Sequence, residues 1–313
     1  MKKYTFGVDI GGTTVKIGLF KTSGELFDVW EIPTRTIENG IYILSDIAKQ
    51  IEEKITENGI DKMEIEGIGM GVPGPVDENG QVLGCVNLGW DVFNVEEEMT
   101  KLTGLKAKAG NDANIAALGE MWKGGGNGYK NLVMVTLGTG VGGGIILNGK
   151  ILSGVHGAAG EIGHISMSDK EEQCCGCGNK GCLEQYASAN GIIKITKRYL
   201  EEHTEKESSL RNIKSYTSKE IFEEAKKGDE VALCMVDEVG KLLGKALASI
   251  ATVIDPEVFV LGGGMSKAGD IILEAIKKYY IHYAFHATRN VAFKFATLGN
   301  HAGIYGAAKL VIA

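Results

Sequence analysis

One pattern of strand, glycine turn and strand occurs twice in this chain of 313 residues. The first copy is YTFGVDIGGTTVKIGLF near the N-terminus, and the second is NLVMVTLGTGVGGGIIL from residue 131 onward. The two glycine turns lie about 128 residues apart, which is too long for a solenoid repeat and indicates a duplicated domain. A chain of this size also exceeds a single hydrophobic core, so we expect two domains that face each other across a cleft.

The spacing of apolar residues predicts an α/β fold that begins with a meander. Three apolar runs separated by GGTT and KTSGE predict antiparallel strands within the first 35 residues. Apolar residues three and four positions apart predict helices over residues 41–57 and 229–253. Further strands are predicted in EIEGIGMGV, EVFVL and VAFKFATL, and a last helix in AGIYGAAKLVI.

Charge and hydropathy exclude several classes of partner. A net charge of −7 repels phosphates, which argues against a nucleic-acid partner. The N-terminus reaches a glycine turn before it builds the apolar stretch of a signal peptide, so we expect no export signal. The longest apolar tract, LLGKALASIATVI, is shorter than the roughly 20 residues that span a bilayer, so we expect no membrane partner. We therefore expect a cytoplasmic protein whose thiols stay reduced.

Glycine clusters end three of the predicted strands: DIGGTT at 9–14, LGTGVGGG at 137–144 and LGGGMS at 261–266. Glycine lets backbone N–H groups approach a phosphate, although each cluster alone is equally consistent with a tight hairpin. No cluster matches the P-loop pattern or a Rossmann GxGxxG that opens a helix, so both folds are disfavoured. Asp9 favours a phosphate site at the first cluster, because a carboxylate there can hold hydrated Mg²⁺ beside a triphosphate. Lys16 either adds a phosphate contact or is an exposed strand lysine.

Four of the six cysteines lie in CCGCGNKGC, residues 174–182. The ligand set of a structural Cys₃His zinc site is present in His164, Cys175, Cys177 and Cys182. A site filled by four protein ligands has no position for a catalytic water, so the zinc would shape its surroundings without performing the chemistry. The spacing differs from common zinc fingers, and an oxidised, redox-sensing cluster is the competing hypothesis. Cys174 is left over, either as a spare thiol or as an alternative ligand.

Together these segments resemble the ROK family of sugar kinases and sugar-responsive repressors. The resemblance is carried by DIGGTTVKIGLF, GVPGPVD, NLGW, NDANIAALGE, GTGVGGG, HGAAGEIGH, CGCGNKGCLE and VLGGGMS. The opening DIGGTTVK is most similar to the glucokinases of Gram-positive bacteria. The resemblance implies a duplicated actin-like ATPase (ribonuclease H-like) fold with two lobes and a cleft between them. Residues 1–112 then form the small lobe, onto which the last helix (about 300–313) packs, and 113–299 form the large lobe with the zinc segment.

The resemblance also implies an ATP-dependent hexose kinase that uses Mg²⁺ and a structural Zn²⁺. In the family, the first two glycine turns contact ATP and its Mg²⁺, and the third lies by the adenosine. The nucleotide and Mg²⁺ contacts are then Asp9, Gly11, Gly12, Thr13, Thr14, Lys16, Gly138, Thr139, Gly140, Gly262, Gly263 and Gly264. This chemistry suits the residue types, because phosphoryl transfer to an alcohol needs backbone donors for the phosphates and a carboxylate for the hydroxyl proton.

The family match assigns the sugar contacts as well. Asn111 and Asp112 match the sugar-binding pair, with Asp112 as the catalytic base. The remaining sugar hydroxyls are expected to bind Glu161, His164 and Glu184, with Asn87 of NLGW as a further contact. An alternative is that the ND pair caps the helix that begins with ANIAALGEMW, and the two roles can coexist.

Glucose is the substrate we expect first, and the family implies a homodimer or homotetramer. The alternatives are a kinase for N-acetylmannosamine, allose or fructose, and a sugar-responsive regulator. Family repressors carry a helix-turn-helix domain before the first glycine loop, and here DIGG begins at residue 9, so we expect no such domain. His301 departs from the family, which often has an aspartate before this AG pair.

Overall fold

Within residues 2–312, which the computed structural model describes, the chain contains twelve strands and nine α-helices. The strands are β1 (Tyr4–Ile10), β2 (Thr14–Lys21), β3 (Leu26–Pro33), β4 (Ile65–Val72), β5 (Gln81–Cys85), β6 (Trp90–Asn94), β7 (Ala107–Asn111), β8 (Leu132–Leu137), β9 (Val141–Leu147), β10 (Lys150–Ile151), β11 (Val258–Gly262) and β12 (Ala292–Phe295). The helices are α1 (Ile43–Glu57), α2 (Val95–Thr103), α3 (Asp112–Lys123), α4 (Glu184–Ala187), α5 (Ala189–Glu202), α6 (Ser218–Lys226), α7 (Glu230–Ile254), α8 (Asp270–Tyr283) and α9 (Ala302–Val311).

Two five-stranded sheets share one strand arrangement. The first has the order β3-β2-β1-β4-β7, in which β1, β2 and β3 form an antiparallel meander and β4 and β7 run parallel to β1. The second has the order β10-β9-β8-β11-β12, with β9 and β10 antiparallel and β11 and β12 parallel. In each sheet a glycine turn joins the first two strands of the meander. The predicted duplication is therefore confirmed.

Helices pack against the central strands of the first sheet. Strands β1 and β4 are buried along most of their length, as strands covered on both faces are, whereas β3 alternates between half-buried and exposed residues. The apolar stripe of α1, with Ile47 and Ile51, joins the core formed by Phe6 and Val8 of β1. Helix α9 packs against α3, β1 and β4. This packing fixes the strand ends that carry the candidate site.

The chain forms two compact units. One comprises the residues up to Leu132, Gly144–Gly160 and those from Ala296 onward; the other comprises Val133–Gly143 and Glu161–Phe295. The boundaries of these units differ from those of the two lobes expected from the family resemblance. The lobe boundaries stay a prediction. No helix among residues 2–312 is long and apolar enough to cross a membrane.

Candidate active site and metal centre

Asp9 lies on the central strand of the first sheet, in register with the ends of its neighbours. It is paired with Lys16 of β2 on one side and with Gly71 of β4 on the other. Gly71 is in turn paired with Gly110 of β7, which directly precedes Asn111. A methyl group on Gly71 would lie 3.6 Å from Asp9 Oδ1, so glycine there keeps the space beside the carboxylate free. The predicted Mg²⁺ ligand and the predicted sugar-binding pair therefore share one edge of one sheet.

The pKa of Asp9 is shifted by burial and by its charged neighbours. Its pKa is raised from 3.8 to about 6, chiefly because the carboxyl group is buried and secondly because Asp112 is negatively charged nearby; Lys16 opposes the shift. A carboxylate disfavoured by burial and by a neighbouring negative charge is stabilised by a divalent cation. Mg²⁺ in kinases is bound by one or two carboxylates together with substrate phosphates. The donor set around Asp9 fits that ion.

Asn111 is the N-cap of α3. Its Oδ1 accepts hydrogen bonds from the N–H groups of Ala113 (3.0 Å) and Asn114 (3.2 Å), and its Nδ2 donates to the Gly74 carbonyl at 3.2 Å. Asp112 is the first residue of the helix and is exposed, with Oδ1 2.8 Å from the Ala113 N–H. The predicted cap is therefore confirmed for Asn111, and it orients Asp112 toward solvent beside Asp9.

Asn87 is exposed and lies in a 3-10 turn, Val86–Leu88, whose last residue is buried. The turn follows Cys85, whose thiol pKa is raised mainly by burial and also by the negative charge of Asp112. The sugar contacts of Asn87 and Asp112 stay predictions.

The segment around the start of α9 borders the Asp9 site, and its contacts there were not among the sequence predictions. Lys16 Nζ lies 3.2 Å from the Asn300 carbonyl oxygen and 3.0 Å from the Glu31 carboxylate. Gly303 is so close that a methyl group there would lie 2.4 Å from Asp9 Oδ2. The AG pair, Ala302 and Gly303, was the only sequence feature that pointed to this segment. The contacts themselves depend on the packing of α9 onto the sheet.

Glu120 holds that segment in place. The fully buried carboxylate accepts hydrogen bonds from the backbone N–H groups of Thr297 (3.0 Å), Leu298 (2.8 Å) and Gly125 (2.8 Å). His301, which stands where the family often has aspartate, is the half-buried N-cap residue of α9. Glu120 is part of the NDANIAALGE segment, yet nothing in that segment indicates its distant partners.

In the other unit, the second glycine turn follows β8. The Gly138 N–H donates to the Gly140 carbonyl at 3.0 Å, and the Ala189 N–H at the start of α5 donates to the Gly138 carbonyl at 2.8 Å. The third glycine cluster packs beside it, since a methyl group on Gly263 would lie 2.5 Å from the Leu137 carbonyl oxygen. The structure thereby brings together two of the three predicted nucleotide-binding clusters within this unit.

A cavity of about 420 Å³ opens beside the second glycine turn. Its lining includes Thr139 and Gly140 of the turn, Cys174, and Asn190 and Lys194 of α5. Ligand pockets of about 300 Å³ and more accept small organic molecules, so this space is large enough for part of a nucleotide.

The four predicted zinc ligands form one cluster. His164 Nδ1 lies 3.7 Å from Cys175 Sγ, Cys177 Sγ lies 3.6 Å from Cys182 Sγ, and all four donor atoms lie within 4.8 Å of one another. In a tetrahedral zinc site with bonds of about 2.0–2.3 Å, the donor atoms are about 3.5–3.8 Å apart. The closest donor separations match this geometry, so the residues fit a zinc ion.

Cys174 lies outside this cluster. It is exposed, and its backbone pairs with that of Lys180. All six cysteines lie within residues 2–312 and are free thiols, so no disulfide is formed. The geometry therefore favours the metal hypothesis with Cys175, Cys177 and Cys182 as the three sulfur ligands.

The three predicted sugar ligands of this unit are oriented differently from one another. His164 turns Nδ1 to the thiols and Nε2 to Glu161, whose Oε2 lies 3.9 Å away. Glu161 is exposed. Glu184 instead accepts a hydrogen bond from the Val141 N–H at 3.0 Å, and its other oxygen lies 3.7 Å from Cys175 Sγ. The structure thus brings Glu161 and His164 together and turns Glu184 toward the glycine turn.

Comparisons with known proteins agree with the fold and the motifs. The model of the ROK family matches residues 5–313. A glucokinase of Halalkalibacterium halodurans is 44% identical over 99% of this chain and 95% of its own length, and one of Streptomyces coelicolor is 36% identical over 98% and 96%. A solved ROK family glucokinase from Streptomyces griseus, in complex with glucose and AMPPNP, superposes with a TM-score of 0.72 at 33% identity and covers 98% of both chains.

Proposed function

Because this chain belongs to the ROK family and has the actin-like ATPase fold of its sugar kinases, we propose that it is a glucokinase. It transfers the γ-phosphoryl group of ATP to glucose and forms glucose 6-phosphate. Glucokinases match it over nearly its whole length. The observation that carries the proposal is the placement of Asp9 and Asp112 at one edge of the first sheet, with glycines between them.

In the proposed reaction Asp112 is the general base. The Asn111 cap holds it at the first position of α3, and its exposed carboxylate accepts the proton of the primary hydroxyl of glucose. Asn111, Asn87, Glu161 and His164 are acceptors or donors for the other hydroxyls. Asn111 and Asp112 thereby place the attacking oxygen, and this positioning accounts for a large part of such a catalyst's rate.

Asp9 and the glycine turns bind the nucleotide in this proposal. Mg²⁺ bound at Asp9 would offset the negative charge of the triphosphate. The turns at 11–14 and 138–140 supply backbone N–H groups for the phosphates, and 262–264 lies beside the adenosine. Lys16 adds a positive charge next to Asp9.

We propose zinc as the ion of the Cys₃His cluster, in a structural role. The four protein ligands fill a tetrahedral shell, so the ion fixes the segments that carry His164 and Glu184. We further propose that the enzyme works in the cytoplasm, within glycolysis, as a homodimer or homotetramer. The family resemblance is the support for these three statements.

A panel of sugars tests the proposed function. Release of ADP is measured with MgATP and glucose, N-acetylmannosamine, allose or fructose, with a sugar-free reaction as control. We expect kcat/KM to be highest for glucose. A higher value for another sugar on the panel would replace glucose as the substrate, and absence of sugar-dependent ADP release would contradict the kinase assignment.

A further inference from the structure

Val141, the first residue of β9, is held by two residues of the metal-binding segments. Its N–H donates to Glu184 Oε2 at 3.0 Å. Gly163 lies against the Val141 carbonyl group. It is so close that a methyl group on Gly163 would lie 2.1 Å from the carbonyl oxygen. Gly163 precedes the metal ligand His164, and Glu184 follows the metal ligand Cys182 by two residues. Both peptide groups of Val141 are therefore in contact with sequence neighbours of metal ligands.

The two metal-binding segments are also joined to each other. The Leu183 N–H donates to the Ile165 carbonyl at 2.8 Å, and Ser166 and Cys182 form an antiparallel bridge. An ion bound by His164 and Cys182 would fix the spacing of both segments, since its bond lengths vary by only a few tenths of an ångström. The metal centre and the contacts on Val141 thus form one connected piece of structure.

Glu184 also lies directly against the glycine turn. A methyl group on Gly140 would lie 2.0 Å from Glu184 Oε2, so the carboxylate packs against the backbone of this residue. A turn rich in glycine has more conformations available than other turns. It presents its N–H groups to a phosphate only when neighbouring groups hold it in one of them.

We propose that Glu184 is a positioning residue that couples the Cys₃His centre to the glycine turn at 138–140. It acts through the Val141 N–H, and it therefore sets the affinity for the nucleotide in addition to the sugar contact that the family resemblance assigns to it. The inference rests on the proposed function in one respect, namely that this turn binds the phosphates of ATP.

The test is the affinity of the full chain for MgAMPPNP, measured by calorimetry without sugar, with zinc content determined on the same samples. Glu184→Ala removes the acceptor of a charge-assisted hydrogen bond, and we expect a Kd about tenfold weaker or more while zinc stays bound. Glu184→Gln retains an oxygen acceptor for the Val141 N–H, and we expect it to restore the affinity to within about threefold of the original chain.

Glu161→Ala is the matched control. This exposed carboxylate also faces His164, but its described contacts do not include the glycine turn, so we expect no change in the Kd for MgAMPPNP. An unchanged Kd in zinc-loaded Glu184→Ala would overturn the proposal. Equal weakening in Glu161→Ala would overturn it as well, because a general disturbance of the segment would then explain the effect.

Removal of zinc provides a second measurement that does not depend on a single variant. With a zinc-selective chelator and excess Mg²⁺, we expect weaker MgAMPPNP binding in the original chain and no further weakening in Glu184→Ala. Equal losses in both proteins would show that the metal acts on the turn without Glu184 and would contradict the coupling. Failure to phosphorylate any sugar while MgAMPPNP binding is intact would count against the proposed function alone.

Discussion

Asp9 carries a carboxyl group whose ionisation is opposed by its surroundings. Burial and the charge of Asp112 raise its pKa from 3.8 to about 6. The folded state therefore binds this proton more tightly than the unfolded state does. In the absence of a cation, the ionised carboxylate lowers the free energy of unfolding above pH 6, and this loss disappears as the pH falls from 6 toward 4.

Asp9→Asn should consequently stabilise the protein at pH 8 by roughly 1–3 kcal/mol, with the difference vanishing near pH 4. The measurement is urea unfolding across this pH range without metal or nucleotide. Glu31→Gln is the control, because it removes an exposed carboxylate that pairs with the same Lys16. A variant no more stable than the original chain at pH 8 would show that Asp9 is not destabilised by its surroundings.

At the scale of elements, the segment from residue 164 to 184 contains the four residues of the Cys₃His cluster. Two of its sulfur ligands, Cys175 and Cys182, are buried, and His164 and Cys177 complete the cluster from more exposed positions. The segment has little helix or strand, and its two ends are joined by backbone hydrogen bonds from Met167 to the Gly181 carbonyl (2.7 Å) and from Leu183 to the Ile165 carbonyl (2.8 Å).

Cys177→Ser should abolish zinc binding, which we expect at about one ion per chain, because serine is a poor zinc ligand. Removal of a structural metal typically costs stability, so the midpoint of thermal unfolding should fall as well. Elemental analysis of purified protein and a thermal scan check both effects. Cys174→Ser is the control and should keep the zinc, because Cys174 lies outside the cluster; the opposite pattern would exchange the roles of these two cysteines.

Elements with a clear apolar period were predictable from the sequence. The helices expected over 41–57 and 229–253 are α1 and α7, and the opening meander is β1 to β3. Short elements such as β5, β6 and α2 were not predicted, because five to nine residues carry too little periodicity. The direction of the Glu184 carboxylate was equally beyond the sequence, since its partner Val141 lies 43 positions away.

At the scale of the whole molecule, the duplication is the feature that the sequence predicts most directly. Two glycine hairpins with the same flanking strands occupy equivalent positions in two sheets of equal strand order. The family resemblance places the last helix on the small lobe, but the sequence does not predict the contact of Gly303 with Asp9, because it depends on how closely α9 packs against β1. Glu120 was missed for the same reason: its hydrogen bonds from Thr297 and Leu298 join residues more than 170 positions apart.

The central claim is that Asp112 accepts the proton of glucose in an ATP-dependent phosphoryl transfer. The most direct test is kcat of Asp112→Ala with saturating glucose and MgATP, alongside urea unfolding of the same protein. Glu230→Gln is the matched control, since Glu230 is likewise an exposed carboxylate at the first position of a helix. We predict a kcat lower by about 10²–10⁴-fold for Asp112→Ala with unfolding unchanged, and no loss for the control. Turnover of Asp112→Ala within tenfold of the original chain would contradict the role of Asp112 as the base.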